Sequence, residues 1–384
     1  MDLFATPWDL ISPFLVFALG LPVATWLGRQ FGQTQKRSWF LYVWHTLWCI
    51  TYLIFTLSNG GDSLDYYRTG SQGLVEFSFG TAAIQYITYF LANLLKLSYV
   101  SCFLVYNIVG LVGFIGFDAI LRQLTDLQSI LLKGLASLVI LLPSVSFWSS
   151  SIGKDGFAFS AAVLALWAGL DIRRRISMMV LGGVVMLFVR PHVAGFMLLA
   201  LAVDSIFDSQ LPLIRRCGLL LFVLVAASWL FPLAVQYAGV AEIDTIEGSS
   251  AYIEQRQSYN QVGAGAVDIS GTSLPYQLLS YLLRPTIFDV NSLLSFLASI
   301  DNFILFVIFS LATAGFLLGR RIQSQISTVF MLAYSSLTWI IFSITTSNYG
   351  IALRQKWMFL PMLLYLAFSL AGRTRREPIL SVSS

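Results

Sequence analysis

The sequence predicts an all-α polytopic membrane protein with about ten to twelve transmembrane helices, built as a single integral membrane domain over residues 1–384. Three observations predict it. Of the 384 residues, 57% are hydrophobic and only 11% charged, less than half the roughly 25% charge of a soluble domain. The mean hydropathy is +0.77, an apolar excess that needs lipid rather than a larger core. Long apolar segments recur along the whole chain. The same composition argues against a cytosolic enzyme, and a formal charge of +4 is too small an excess over this length for a nucleic-acid footprint. Cys49, Cys102 and Cys217 lie in apolar runs without CxxC spacing, which supports buried thiols rather than a disulfide framework or a zinc site.

A crossing takes about 20 mostly apolar residues, because the hydrocarbon layer is about 30 Å thick. In chain order such segments run near 9–28, 38–57, 99–119, 128–147, 213–236, 301–319, 327–345 and 355–371. The first has an acidic start and no small-residue cleavage site after its apolar run, unlike a secretory signal peptide, and reads as a retained helix. Residues 157–172 are apolar but short. Residues 176–206 form one long apolar stretch interrupted by Arg190, Pro191 and His192, which fits either one kinked helix or two short ones meeting at the Arg-Pro-His turn. The segment at 80–96 carries Gln85, Thr88, Asn93 and Lys96 among aromatics, and fits an interfacial helix on the outer side as well as a normal crossing.

Short basic loops favour the cytoplasmic side. Arg29 with Lys36 and Arg37, Arg122 with Lys133, Arg173 to Arg175, Arg215 with Arg216, Arg320 with Arg321, and Arg373 with Arg375 and Arg376 all fall on one side if 176–206 cross twice and 80–96 do not cross. This gives eleven crossings, an outer amino terminus and a cytoplasmic carboxyl terminus. Two outer segments stand out. Residues 59–79 contain Asp62, Asp65, Arg68 and Glu76, and residues 237–300 contain Glu242, Asp244, Glu247, Glu254, Arg256, Asp268, Arg284 and Asp289. The second is far longer than an ordinary connection, which favours a lid or binding surface over a disordered linker.

The densest polar feature is NGGDSLDYYRTG at 59–70. Asp62 and Asp65, three apart, share a face if a helical turn follows the glycines, and a carboxylate at the membrane boundary can take a proton from an acceptor hydroxyl or bind a metal. An amino-terminal capping box followed by a solvated turn fits the same residues. In PSVSFWSSSIGKDGFAF at 143–159, a break between apolar segments precedes Lys154 and Asp155, so donors at a helix amino terminus and a mobile cation together suit phosphate. An ordinary helix boundary, in which Asp155 favours the amino-terminal dipole and Lys154 snorkels, is the competing reading. In FVRPHVAG at 188–195, Arg190 and His192 lie inside an apolar stretch, and such residues must snorkel, pair or face a wet cavity. Arg190 can clamp a phosphate or pyrophosphate through its planar fork, and His192 can donate a hydrogen bond or carry a proton. Arg354 and Lys356 precede the last apolar helix on the predicted outer side, with Arg284 beside Pro285 available to join them. That placement runs against the inside bias and suits an anionic lipid or substrate, although a headgroup belt explains the same charges.

There is no GxxxxGK[ST] nucleotide loop, HExxH pair or dinucleotide fingerprint in the sequence. With His45 and His192 as the sole histidines, a His-rich metal centre is ruled out. His45 suits packing or hydrogen bonding, and a divalent cation is left open as a cofactor.

NGGDSLDYY after the second helix, PSVSFWSSSIGKDGFAF, FVRPH, and NYGIALRQKW before the last helix together resemble polytopic bacterial envelope-glycan enzymes: the GT-C-like lipid-linked glycosyltransferases and the EpsG-like or Wzy-like polysaccharide polymerases. These motifs span much of the chain. The resemblance implies a GT-C-like bundle with extracytoplasmic loop insertions in the cytoplasmic membrane of a bacterium. It also implies a donor linked to polyprenyl phosphate or diphosphate, and a glycan or lipid acceptor, with membrane lipids and envelope-assembly proteins as further partners. On the glycosyltransferase analogy, Asp62 or Asp65 is the outer carboxylate near the acceptor, and Arg190, Arg354 and Lys356 meet the phosphate. On the polymerase analogy the arginines bind polyprenyl diphosphates and no carboxylate base is required. Other functions fit the same residues. A transporter can use Arg190 and His192 as a substrate or proton site, a flippase can use the cationic face without breaking a bond, and an acyltransferase can use His192.

Overall fold

Hydroxyl side chains placed just before apolar runs start most of the long helices, since each accepts from an otherwise unpaired backbone N–H of the first turn. The computed structural model describes residues 6–73, 76–207, 265–269, 271–322 and 327–372, with isolated positions between 214 and 228. Thr6 caps α1 (Pro7–Gln30) in a capping box with Asp9, and Thr34 caps α2 (Gln35–Asn59). A short helix α3 (Asp62–Gln72) follows, then α4 (Thr81–Tyr89), which ends in a π-turn at Phe90–Leu94. Ser98 caps α5 (Tyr99–Thr125) and Ser129 caps α6 (Ile130–Ile140). Next come α7 (Pro143–Ser149), α8 (Lys154–Gly169), α9 (Ile172–Val189) and α10 (Pro191–Phe207). The last group is α11 (Leu274–Leu283), a 3-10 turn at Ile287–Asp289, α12 (Leu293–Leu317), α13 (Thr328–Thr345), α14 (Tyr349–Gln355), a 3-10 turn at Lys356–Met358, and α15 (Leu360–Ala371). Among the described residues there is no strand, only an isolated bridge between Ala266 and Asn348.

The chain is thus an all-α, multi-pass membrane protein. Among the described residues, six spans are long and apolar enough to cross: α1, α2, α5, α6 with α7 taken together as Ile130–Ser149, α12 and α13. The apolar helices α10 and α15 are shorter. In α5 72% of the apolar window is buried inside the protein, against 28% in α1, so α5 is the central post and α1 a peripheral one. Phe14, Leu19, Trp26, Leu47 and Ile54 on α1 and α2 are exposed, as a lipid-facing surface requires.

Several boundaries differ from the sequence expectations. The segment at 128–147 is two helices, because Pro143 cannot continue α6 and starts α7 instead. The stretch 176–206, by contrast, takes the second of its two expected forms, two helices meeting at Arg190, whose φ of −146° and ψ of 73° break the run before Pro191. The expected loop at 237–300 contains α11, a 3-10 turn and the first turns of α12, which begins at Leu293 rather than near residue 301. It is therefore not structureless over its second half. The expected crossing at 213–236, the clusters Arg215 with Arg216 and Arg373 with Arg375 and Arg376, and Glu242, Asp244, Glu247, Glu254 and Arg256 lie outside the described residues.

Hydrogen bonds fix which helix ends lie together. Gln33 in the α1–α2 turn and Arg37 in the first turn of α2 bind Asp118 near the end of α5. Gln123 reaches the Phe31 carbonyl, Ser327 N–H donates to Gly169, and Phe330 N–H to Asp204. This end carries Arg29, Lys36, Arg37, Arg122 and Arg173 to Arg175. At the other end Trp8 donates to Leu95, Tyr67 to Leu97 and Lys154 to Thr81. Both ends of α4 and its π-turn are therefore at this second end: Gly80 N–H bonds the Phe188 carbonyl and Leu95 meets Trp8. At about 1.5 Å per residue, the 16 residues of α8 and 18 of α9 raise Lys154 and Arg190 about 24 and 27 Å above the basic end.

The seat of α7 is tight. His45 on α2 bonds Asn107 on α5 at 2.5 Å and Ser149 on α7 at 2.9 Å, and Asn107 bonds Thr46. A Cβ on Gly110 would lie 2.0 Å from the Ser149 carbonyl oxygen, and one on Gly156 2.4 Å from it. Only hydrogen at both positions lets α5 and α8 close around the end of α7.

Candidate functional site

The break between α2 and α3 places the first carboxylate. Gly60 and Gly61 have φ of 74° and 129°, a backbone that side chains with a Cβ avoid, and they aim Asp62 back over the bundle as the first residue of α3. Gly61 is the N-cap and no side chain caps α3, so Asp62 and Asp65 form no capping box. Asp62 instead accepts from Arg354 Nη1 at 2.7 Å, an ion pair across 292 residues of sequence. Burial raises the Asp62 carboxyl, but Arg354, with Lys154 and Arg190 behind it, outweighs this and holds it below its ordinary value. Arg354 responds in kind. Burial works against its charge, and Asp155 and Asp62 together hold its guanidinium above the usual value.

A second pair sits beside the first. Arg190 ends α9, and its carbonyl accepts from Val193 and Ala194 to start α10. Its Nη2 donates to Asp155, in the first turn of α8, at 2.9 Å. The two side chains are only 8% and 12% exposed, against 22% for Arg354 and 49% for Asp62. Lys154 donates to Thr81 at the start of α4 at 3.0 Å. Because Lys154 and Arg190 act on Asp62, and Asp155 acts on Arg354, these five groups form one electrostatic cluster. Three cations against two carboxylates leave it a net charge of +1. The same four Asp and Arg side chains act electrostatically on the buried Tyr66, and Arg190 and Asp155 on the buried Tyr281.

The Nε donors of Arg190 and Arg354 are buried with no hydrogen-bond partner among the described residues. A buried donor without a partner costs about 1–3 kcal/mol, so two of them at neighbouring guanidinium groups mark a place where acceptor oxygens belong. The cluster can take an anion with several oxygens, and either carboxylate can exchange its arginine for that anion.

The other residues singled out in the sequence lie elsewhere. Asp65 is exposed on α3, and its carboxylate makes no hydrogen bond or ion pair among the described residues. His192 packs edge-on against Phe196 and Phe342. Lys356 is fully buried and donates to Asn302. It stands two residues after Arg354, about 200° around a helix, and so faces the opposite way. Arg284 pairs with Asp289, donates to Tyr276 and lies over the Tyr349 ring. Among the described residues no group of three or more His, Cys, Asp or Glu is placed to hold a metal ion.

The Arg284 pair gives a pH prediction. The Arg284 hydrogen bond, against burial and with help from Thr286, holds the Asp289 carboxyl at about 2. A carboxyl depressed below its unfolded value of about 3.9 stabilises the fold above that pH, and the contribution is lost as pH falls through about 2. Asp289→Asn should flatten the acid side of the stability curve in that window, measured by thermal unfolding; an unchanged curve would show the pair to be inert.

The sequence separated the members of this cluster by up to 292 residues, and it offered Asp155 only as a helix-dipole partner. The missing signal was modest: an acidic residue next to Lys154 at a helix start, with a buried arginine elsewhere needing a counter-ion. No protein-family model, curated protein or solved structure matches the chain.

Proposed function

We propose that the protein transfers a glycan from a polyprenyl-phosphate or polyprenyl-diphosphate donor to a glycan or lipid acceptor at the outer face of a bacterial cytoplasmic membrane. The observation that carries this reading is the paired cluster itself: Arg190, Arg354 and Lys154 meet near the non-basic end of the bundle, with two buried guanidinium donors unused. The basic end then faces the cytoplasm, which puts the amino terminus of α1 and the cluster outside.

In the reaction an acceptor hydroxyl oxygen forms a bond to the anomeric carbon as the carbon–oxygen bond to the lipid phosphate breaks. The electron pair leaves on the phosphate, where Arg190 and Arg354 stabilise it through charge-assisted hydrogen bonds. The hydroxyl proton passes to Asp62 or to water. Because Arg354 holds Asp62 ionised but weakly basic, its main task is to orient Arg354. Asp62→Asn should therefore slow transfer about tenfold, short of the 10²- to 10⁴-fold expected for loss of a full general base. A loss above 10³-fold in single-turnover assays would restore Asp62 as the base.

The direct test is to incubate the purified protein with polyprenyl-linked oligosaccharides and follow the products by mass. Elongated or transferred glycan supports an enzyme. If the lipid-linked glycan is neither consumed nor elongated but changes leaflet in proteoliposomes, the protein is a flippase and the transfer reading fails.

A further inference from the structure

Tyr66 stands four residues after Asp62 on α3, so the two side chains share a face. Its ring lies against the start of α8, where a Cβ on Gly153 would come 3.9 Å from Tyr66 Cε2. The residue is 8% exposed, yet its hydroxyl bonds to no described residue and is not among the sealed polar atoms, so it stays accessible. The neighbouring Tyr67 is different: its hydroxyl donates to the Leu97 carbonyl. Burial first, and then the charge of Asp62, raise the Tyr66 phenol above its ordinary value, which keeps it a proton-bearing donor at neutral pH.

Three unused donors thus belong to one charged cluster: Arg190 Nε, Arg354 Nε and the Tyr66 hydroxyl. They come from the α9–α10 junction, α14 and α3. The two carboxylates nearby already accept from arginines, so the surplus is in donors, and the matching ligand is rich in acceptor oxygens on a single group. Resting on the transfer reading above, we infer that Tyr66 is a further substrate-contacting residue, whose hydroxyl donates to a phosphate oxygen of a lipid-linked diphosphate held between Arg190 and Arg354. Its neutral donor adds a directed contact without adding charge, which favours a diphosphate, with its larger set of oxygens, over a monophosphate.

The test measures binding, so it does not depend on turnover. Full-length protein in nanodiscs is titrated calorimetrically with farnesyl diphosphate and, separately, farnesyl monophosphate. Tyr66→Phe keeps the ring on Gly153 and removes one hydroxyl; Tyr67→Phe makes the same chemical change on the same helix. Thermal unfolding midpoints establish that each variant is folded. Wild type should bind the diphosphate more tightly, Tyr66→Phe should lose about tenfold in diphosphate affinity, and Tyr67→Phe should match wild type. Equal diphosphate affinity in Tyr66→Phe and wild type overturns the role of Tyr66 alone. Wild type that binds neither probe overturns the lipid-linked phosphate reading together with this inference.

Discussion

Arg190→Ala should lower glycan transfer by about 10²- to 10³-fold, the effect of removing a donor from a developing anion. The single variant also strands Asp155, 12% exposed, and breaking such a pair from one side costs about 3–5 kcal/mol. Lost activity alone would therefore be ambiguous. Arg190→Ala combined with Asp155→Ala removes both charges and should recover most of the stability, because no uncompensated charge remains. Transfer should stay at the level of the single variant, since the phosphate still lacks its clamp. Stability by thermal unfolding and single-turnover transfer, measured on the same preparations, separate the two effects. Recovery of transfer in the double variant would make Arg190 a counter-ion and nothing more.

The second large effect is expected from packing rather than from charge. Gly110→Ala drives a methyl group to 2.0 Å from the Ser149 carbonyl oxygen and 3.1 Å from His45 Cε1. Overpacking typically costs about 1–3 kcal/mol, and the obstacle here is main chain rather than a rotatable side chain, so the cost should lie at the top of that range or above. α7 must then withdraw from α5, breaking the His45–Ser149 bond. Ser149 lies five residues before Lys154, so the start of α8 should move with it and transfer should fall in whatever protein still folds. Gly134→Ala is the matched control, because a Cβ there meets nothing within 4 Å. Equal denaturation midpoints for the two variants would refute the close approach.

The helical class and the main spans were legible because twenty-residue apolar runs leave lipid as the one place to put them. The break at Arg190 was legible as one of two options, since a proline after a charged residue ends a helix but also kinks one. What the sequence could not show was pairing. Asp62 was visible as a candidate, but its partner lies 292 residues away, and nothing local distinguishes Arg354, which meets it, from Arg284, which binds Asp289 five residues on. Lys356 looked equivalent to Arg354 by charge and location. The turn between them separates an ion pair at the cluster from a buried ammonium bonded to Asn302. Tyr66 was hidden among sixteen tyrosines, because a hydroxyl without a partner can be recognised only after every neighbour has been placed.

The short lengths of α8 and α9 have a kinetic consequence. They lift Lys154 and Arg190 to about the depth of a phosphate headgroup, given a hydrocarbon layer of about 30 Å and helices of 16 and 18 residues. If the donor is the prenyl-linked phosphate proposed above, its chain would keep its place in the monolayer while its phosphate reached the guanidinium groups sideways. Encounter would then be a search in two dimensions, governed by the mole fraction of donor among the surrounding lipids rather than by its amount per volume. Diluting the membrane with inert lipid should slow such a protein, whereas diluting the suspension with buffer should leave each vesicle's rate unchanged.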